Sequence, residues 1–274
     1  MSSKTQLNLI TFIALMGTSA LSLATYLLFP FIPAKVFSYI LEISILLIFS
    51  FYLLKFFKHI CEGDIFISNL KNPMVANLYS AIAIASALIT IMLSLIGLPG
   101  LHRYDVPLAL AFWIISFVLS IFFLVVIPIN LKFRSKTEHV FGTWFLPPVG
   151  IFVLITAGAN LALKSSSLLK FINLVNMFLL GPAFILYFLT LTLVYFRSKF
   201  YDVEEQKMTP TFNIVLAPVA VSVLAMISLT KTFNRLDLFS FSGLFSGLTK
   251  FYSLIALGYG FWVVLGLLAL LPSC

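Results

Sequence analysis

The 274-residue chain is 61% hydrophobic and only 9% charged, with a mean hydropathy of +1.12. Soluble domains carry about 25% charged residues, so lipid rather than water must be the solvent for most of this surface. The net charge of +8 is ordinary for a polytopic protein attracted to anionic lipid and carries no signature of nucleic-acid binding.

A bilayer core of about 30 Å needs ~20 apolar residues. Eight stretches qualify, at approximately 9–29, 36–57, 75–97, 107–129, 142–163, 172–196, 211–230 and 251–271. Runs of this length bounded by charges read as helices, because an unpaired backbone group in hydrocarbon costs several kcal/mol and barrel strands are shorter. MSSKTQLNLITF has one lysine and no small-residue cleavage site, so it opens the first span rather than a removable signal peptide. That first span holds Gly17 and Thr18 in MGTSALSLA; the second holds the one intramembrane carboxylate, Glu42, in SYILEISILL. Ionisable residues at depth are functional suspects, but Glu42 lies near Lys35 on an even span, where an interfacial or helix–helix role fits. Span three carries Ser86 and Thr90, and the loop after it pairs Arg103 with Asp105 as a solvated couple. Span five begins GTWFLPPVG, with Pro147, Pro148 and Gly150, and span seven reads NIVLAPVAVS, with Pro218 and Ser222.

The N-terminus and the loops after spans two, four and six hold ten lysines and arginines; the opposite side holds seven. The bias places the N-terminus in the cytoplasm of a cell-membrane protein. The centres of the odd spans, near Thr18, Ser86, Ile151 and Ala220, are spaced by 68, 65 and 69 residues. In 20-residue windows of the odd spans, Gly, Ala, Ser and Thr make up 31 of 80 positions, against 17 of 80 in the even spans. Small residues belong where helices approach closely or where a lumen stays open, and bulky ones can face lipid. The expected fold is therefore all-α and polytopic: eight transmembrane helices in a single domain, 1–274, built as four helical hairpins over approximately 7–57, 74–129, 142–196 and 210–271. Odd helices form an inner ring around a pore and even helices surround them. Any bundle with small-residue interfaces is the plainer alternative.

A mid-span proline removes a backbone donor and kinks its helix. Pro147, Pro148 and Pro218 fall in the small-residue spans, and Gly17 sits at comparable depth. Together with Thr18, Ser86, Gly150 and Ser222 they are the candidate pore-lining and kink residues, bowing the inner helices around a weakly polar path.

These segments resemble the tellurite-resistance and dicarboxylate transporter family, which includes TehA, malate permeases, sulfite efflux pumps and the plant slow anion channel. GTWFLPPVG is similar to that family's fifth span, PTFNIVLAPVAVS to its seventh, MGTSALSLA to its first, and NPMVANLYS to the loop opening its third. The resemblance implies hairpins in a ring with a pore in each protomer, often assembled as a homo-trimer. It also implies ten spans where this chain has eight, so the family's gating phenylalanine, on its ninth span, is carried over to no residue here. The ending LLALLPSC reads as that of a fragment or truncated relative.

Enzyme chemistry is not expected. His59, His102 and His139 lie in loops on differing sides, Cys61 and Cys274 fit no metal or disulfide spacing, and no cofactor motif is present. The odd spans carry no carboxylate to repel an anion and no deep lysine or arginine to trap one, which suits a path that ions enter favourably and leave readily. The expected function is a permease or channel for small anions, either inorganic ones such as chloride, nitrate or sulfite, or four-carbon dicarboxylates such as malate. Its expected partners are membrane lipid, small anions and further copies of itself. The alternative is a non-transporting membrane subunit or decayed paralogue.

Overall fold

A computed structural model describes residues 3–61, 63–131, 142–200, 216–236 and 242–270. His139, Cys274, the loop cations Lys132, Arg134, Lys136 and Lys207, and the LPSC end lie outside the described residues. Ten α-helices follow one another among those described: α1 (Ser3–Leu28), α2 (Ile32–Cys61), α3 (Asp64–Leu70), α4 (Pro73–Ala76), α5 (Ser80–Leu95), α6 (Asp105–Leu131), α7 (Leu146–Lys164), α8 (Ser166–Phe200), α9 (Leu216–Leu236) and α10 (Ser242–Leu270). Seven of them, α1, α2 and α5 to α9, are long and apolar enough to cross a membrane. The chain is thus an all-helical integral membrane protein among its described residues. The 29-residue α10 packs on α9.

Each long helix packs against its successor: α1 on α2, α5 on α6, α7 on α8 and α9 on α10. The odd-numbered long helices also pack side by side in chain order, α1 on α5, α5 on α7 and α7 on α9. In α5 and α7, 83% of the most apolar window is buried, against 28% in α2 and α8 and 33% in α6. The sequence cause is side-chain size. SAIAIASALITIMLSL in α5 and the GIFVLITAGA segment of α7 let backbones approach, and without a hydrophobic drive between helices in lipid such close packing is what holds them. The small-residue helix α1 departs from this pattern at 28% buried and α9 lies between at 50%. Both have α5 or α7 on one flank only, so small residues on one face of each, such as Gly17, Ala24 and Ala220, stay exposed.

The prolines fall where a kink is least needed. Pro147 and Pro148 occupy the first turn of α7, behind a 3-10 turn over Gly142–Phe145. There the missing N–H has no intrahelical partner to lose and the fixed φ suits helix entry. The expected kink within span five is therefore absent: the helix begins at these prolines. Past the first turn, the prolines of described helices are Pro128 of α6 and Pro182 of α8, both on even spans, while Pro218 is the third residue of α9.

Two connections are stapled by side chains. Phe66 of α3 packs edge-on to Tyr79, with ring centroids 5.3 Å apart, and Asn69 donates to the Tyr79 hydroxyl at 3.1 Å. This docks α3 beneath Phe56 of α2 and Phe123 of α6. At the other end, Gly97 and Gly100 turn the chain at φ 75° and 77°, the left-handed region that glycine enters freely. Asp105 is buried. Its carboxylate accepts from the Leu98 N–H at 2.8 Å and pairs with His102 at 3.2 Å. The expected solvated pair with Arg103 is replaced by this staple, and an acid in the first turn of α6 also meets the positive end of the helix dipole.

Candidate functional site

The candidate residues spread along the four odd helices, and the structure separates them by what their side chains meet. Gly17 is exposed on α1, and a Cβ built there would find nothing within 4 Å. It lies in a stripe of exposed positions at Ile10, Ala14, Gly17, Leu21, Ala24 and Leu28, the period of one helix face. Thr18, beside that stripe, turns its hydroxyl back to the Ala14 carbonyl at 2.8 Å. Gly150 is buried where α7 meets α5, with Ile84 Cγ1 3.4 Å from a Cβ position. Pro148 and Pro218 are buried too.

The serines are engaged elsewhere. Ser86 of α5 donates to the Phe112 carbonyl of α6 at 2.8 Å, and Ser116 of α6 returns a bond to the Ala83 carbonyl of α5 at 2.8 Å. Thr90 adds a bond to Ala109 of α6 at 3.3 Å. Ser222 of α9 meets the Tyr252 hydroxyl of α10 at 2.6 Å, and Thr230 meets Thr249 at 3.0 Å. Ser22 of α1 and Ser38 of α2 exchange bonds in the same manner. Each of these hydroxyls joins an odd helix to the even helix that follows it. Such bonds are worth about 0.6 kcal/mol each in a membrane.

The α7–α8 pair uses a different device. A Cβ on Gly158 would lie 2.7 Å from Trp113 Nε1 and 2.8 Å from Asn176 Oδ1. The glycine is what lets α6 and α8 bring an indole and an amide onto α7. Trp113 Nε1 donates to the Leu154 carbonyl at 3.3 Å. Asn173 and Asn176, one turn apart and buried, have no partner for either amide atom. Sequence reasoning passed over this polar layer, although two asparagines in NLVNMF inside an apolar span are the kind of buried polar signal that marks function or a tight interface.

Glu42 is 1% exposed and neither carboxylate oxygen has a hydrogen-bond partner. It belongs to the buried face of α2, with Ser38, Ile45, Phe49 and Leu53. Phe49 packs on Phe12 of α1 and Phe112 of α6 at 5.7 and 5.9 Å, so this face points into the protein. Of the two sequence readings, the helix–helix one describes its place.

The odd spans Leu9–Leu28, Asn77–Leu95, Gly142–Lys164 and Ala217–Arg235 contain no aspartate or glutamate. Their cations, Lys164, Lys231 and Arg235, cluster at the C-terminal ends of α7 and α9, where Arg235 also donates to the Leu163 carbonyl.

Comparison with known proteins agrees with this uncharged helical array. An uncharacterized transporter of Methanocaldococcus jannaschii, MJ0762, is 27% identical over 256 residues, covering 90% of this chain and 73% of the relative. A second from the same organism, MJ0576, is 25% identical over 256 residues, covering 90% and 72%. No solved structure matches the chain. The voltage-dependent anion channel family matches over residues 6–273, nearly the whole length, and the chain belongs to that family.

Proposed function

We propose that the chain forms a path for small anions between α1, α5, α7 and α9, acting as a channel or permease in the cell membrane. The observation that carries this reading is the absence of any carboxylate from the four odd spans, beside cations at the ends of α7 and α9. An anion entering such a path meets no like charge and no deep cation to hold it, the balance that conduction requires. A tight carboxylate site would call for a bidentate arginine at depth. Chloride, nitrate and sulfite fit a neutral path best, with four-carbon dicarboxylates as the larger alternative.

In this reading the packed pairs are hairpin repeats of one transmembrane domain, arranged about a common axis with the N-terminus in the cytoplasm. The Gly17 face of α1 is turned to the path, and copies of the chain assemble as trimers. The close burial of α5 and α7 describes a narrow state of the path. Purified protein in liposomes should dissipate a chloride or nitrate gradient once a potassium ionophore balances the charge. A flux equal to that of empty liposomes would overturn the proposal and favour a non-transporting subunit.

A further inference from the structure

A cleft of about 250 Å³ opens among α6, α7 and α8 at one end of their spans. Its walls are apolar, built from Phe123, Leu124 and Ile127 of α6, Leu186 and Leu189 of α8, and the rings of Pro128, Pro147 and Pro148. Three polar side chains line it, Asn77, Trp144 and Thr190. Asn77 is 3% exposed and its Nδ2 has no hydrogen-bond acceptor; the indole Nε1 of Trp144 is buried and has none either. A buried donor left unmade costs about 1–3 kcal/mol, so two in one cleft call for an occupant that brings acceptor oxygen.

Depth and shape identify its class. Asn77 opens its span, Trp144 is the third residue of the span Gly142–Lys164, and Pro128 is two residues from the end of His102–Asn130. All three therefore stand at one membrane interface, the level of the glycerol backbone in a lipid and the place where tryptophan is enriched. The outer faces of α6 and α8 beside the cleft expose Val125, Ile129, Ile185 and Leu189, so the opening meets acyl chains rather than water. Complete drug-sized ligands need about 300–1,000 Å³, and this cleft is smaller. It suits one segment of an apolar chain whose remainder stays in the bilayer.

We propose that the cleft is a binding site for a membrane glycerolipid. One chain lies along the proline-walled groove, and acceptor oxygen at the glycerol level receives hydrogen bonds from Asn77 Nδ2 and Trp144 Nε1. The headgroup takes no part. This site stands apart from the anion path and does not depend on it.

Native mass spectrometry of the full chain, released from detergent after incubation with dioleoylphosphatidylglycerol, tests the assignment. The wild type should retain one lipid at activation energies that strip the rest. Asn77→Leu and Trp144→Phe should each reduce that retention at least fivefold; Trp144→Phe keeps the ring and remains informative if the asparagine variant fails to fold. Methyl oleate, which carries an ester oxygen, should displace the retained lipid, whereas 1-octadecene should not. Equal retention by wild type and a folded Trp144→Phe, or equal competition by the ester and the hydrocarbon, would overturn the proposal.

Discussion

Ser22 of α1 and Ser38 of α2 each donate a hydrogen bond to the other's backbone carbonyl, at 3.2 Å in both directions. Ser86 and Ser116 bridge α5 and α6 in both directions as well, each through a carbonyl near the other serine. These reciprocal clasps explain why hydroxyls recur on the small-residue helices. Four backbone carbonyls gain a second partner, and none of the four serines is spent on solvent.

Removing a clasp should therefore cost stability before it costs transport. Ser86→Ala and Ser116→Ala are each expected to lower unfolding free energy by about 0.6 kcal/mol, read by denaturant titration in detergent. Anion flux through either folded variant should stay within twofold of wild type. A tenfold loss of flux at unchanged stability would return Ser86 to the path.

Gly158 and Gly17 make an opposed pair. Gly158→Ala drives a methyl against Trp113 and Asn176 and should destabilise by about 1–3 kcal/mol, the usual cost of overpacking. Gly17→Ala meets open space and should be neutral or more stable by up to ~1 kcal/mol, because alanine is the better helix former. Thermal unfolding of both variants checks this; equal losses would contradict the close approach at Gly158.

Glu42 contributes burial of a polar group without a partner. Replacing it by methionine, of similar length, should raise stability by about 1–3 kcal/mol, the cost of a buried polar group left without a hydrogen bond. A destabilised Glu42→Met, measured by chemical denaturation, would mean that the carboxyl has a function in holding α1 against α2.

Much of the fold was legible because the bilayer imposes a length and a polarity on every span, and seven of the expected spans appear as helices that satisfy both. Small-residue content marked all four odd spans alike; α5 and α7 are packed closely, whereas α1, as rich in small residues as α5, is mostly exposed. Proline identity alone could not say where a helix begins. GTWFLPPVG reads as the kinked interior of a span, yet Gly142–Phe145 forms a 3-10 turn and α7 starts at the prolines. Nor could a list of serines say which neighbour each would meet. A hydroxyl on an inner helix can face a lumen or a partner, and Ser86 and Ser222 took the partner because a carbonyl and a tyrosine lie within reach. Asp105 was misread for a similar reason: its pairing depends on the turn made by Gly97, which brings the Leu98 N–H back to it.

The central claim, that the Gly17 face of α1 borders an aqueous path for anions, is tested most directly by thiol accessibility. Cysteine is placed at position 17 in a background where Cys61 and Cys274 are serine, and the protein is reconstituted in liposomes. A small charged, membrane-impermeant methanethiosulfonate is expected to modify Gly17→Cys and to reduce anion flux at least fivefold. Modification only by a lipid-soluble maleimide, with flux unchanged, would place that face in hydrocarbon and contradict the claim.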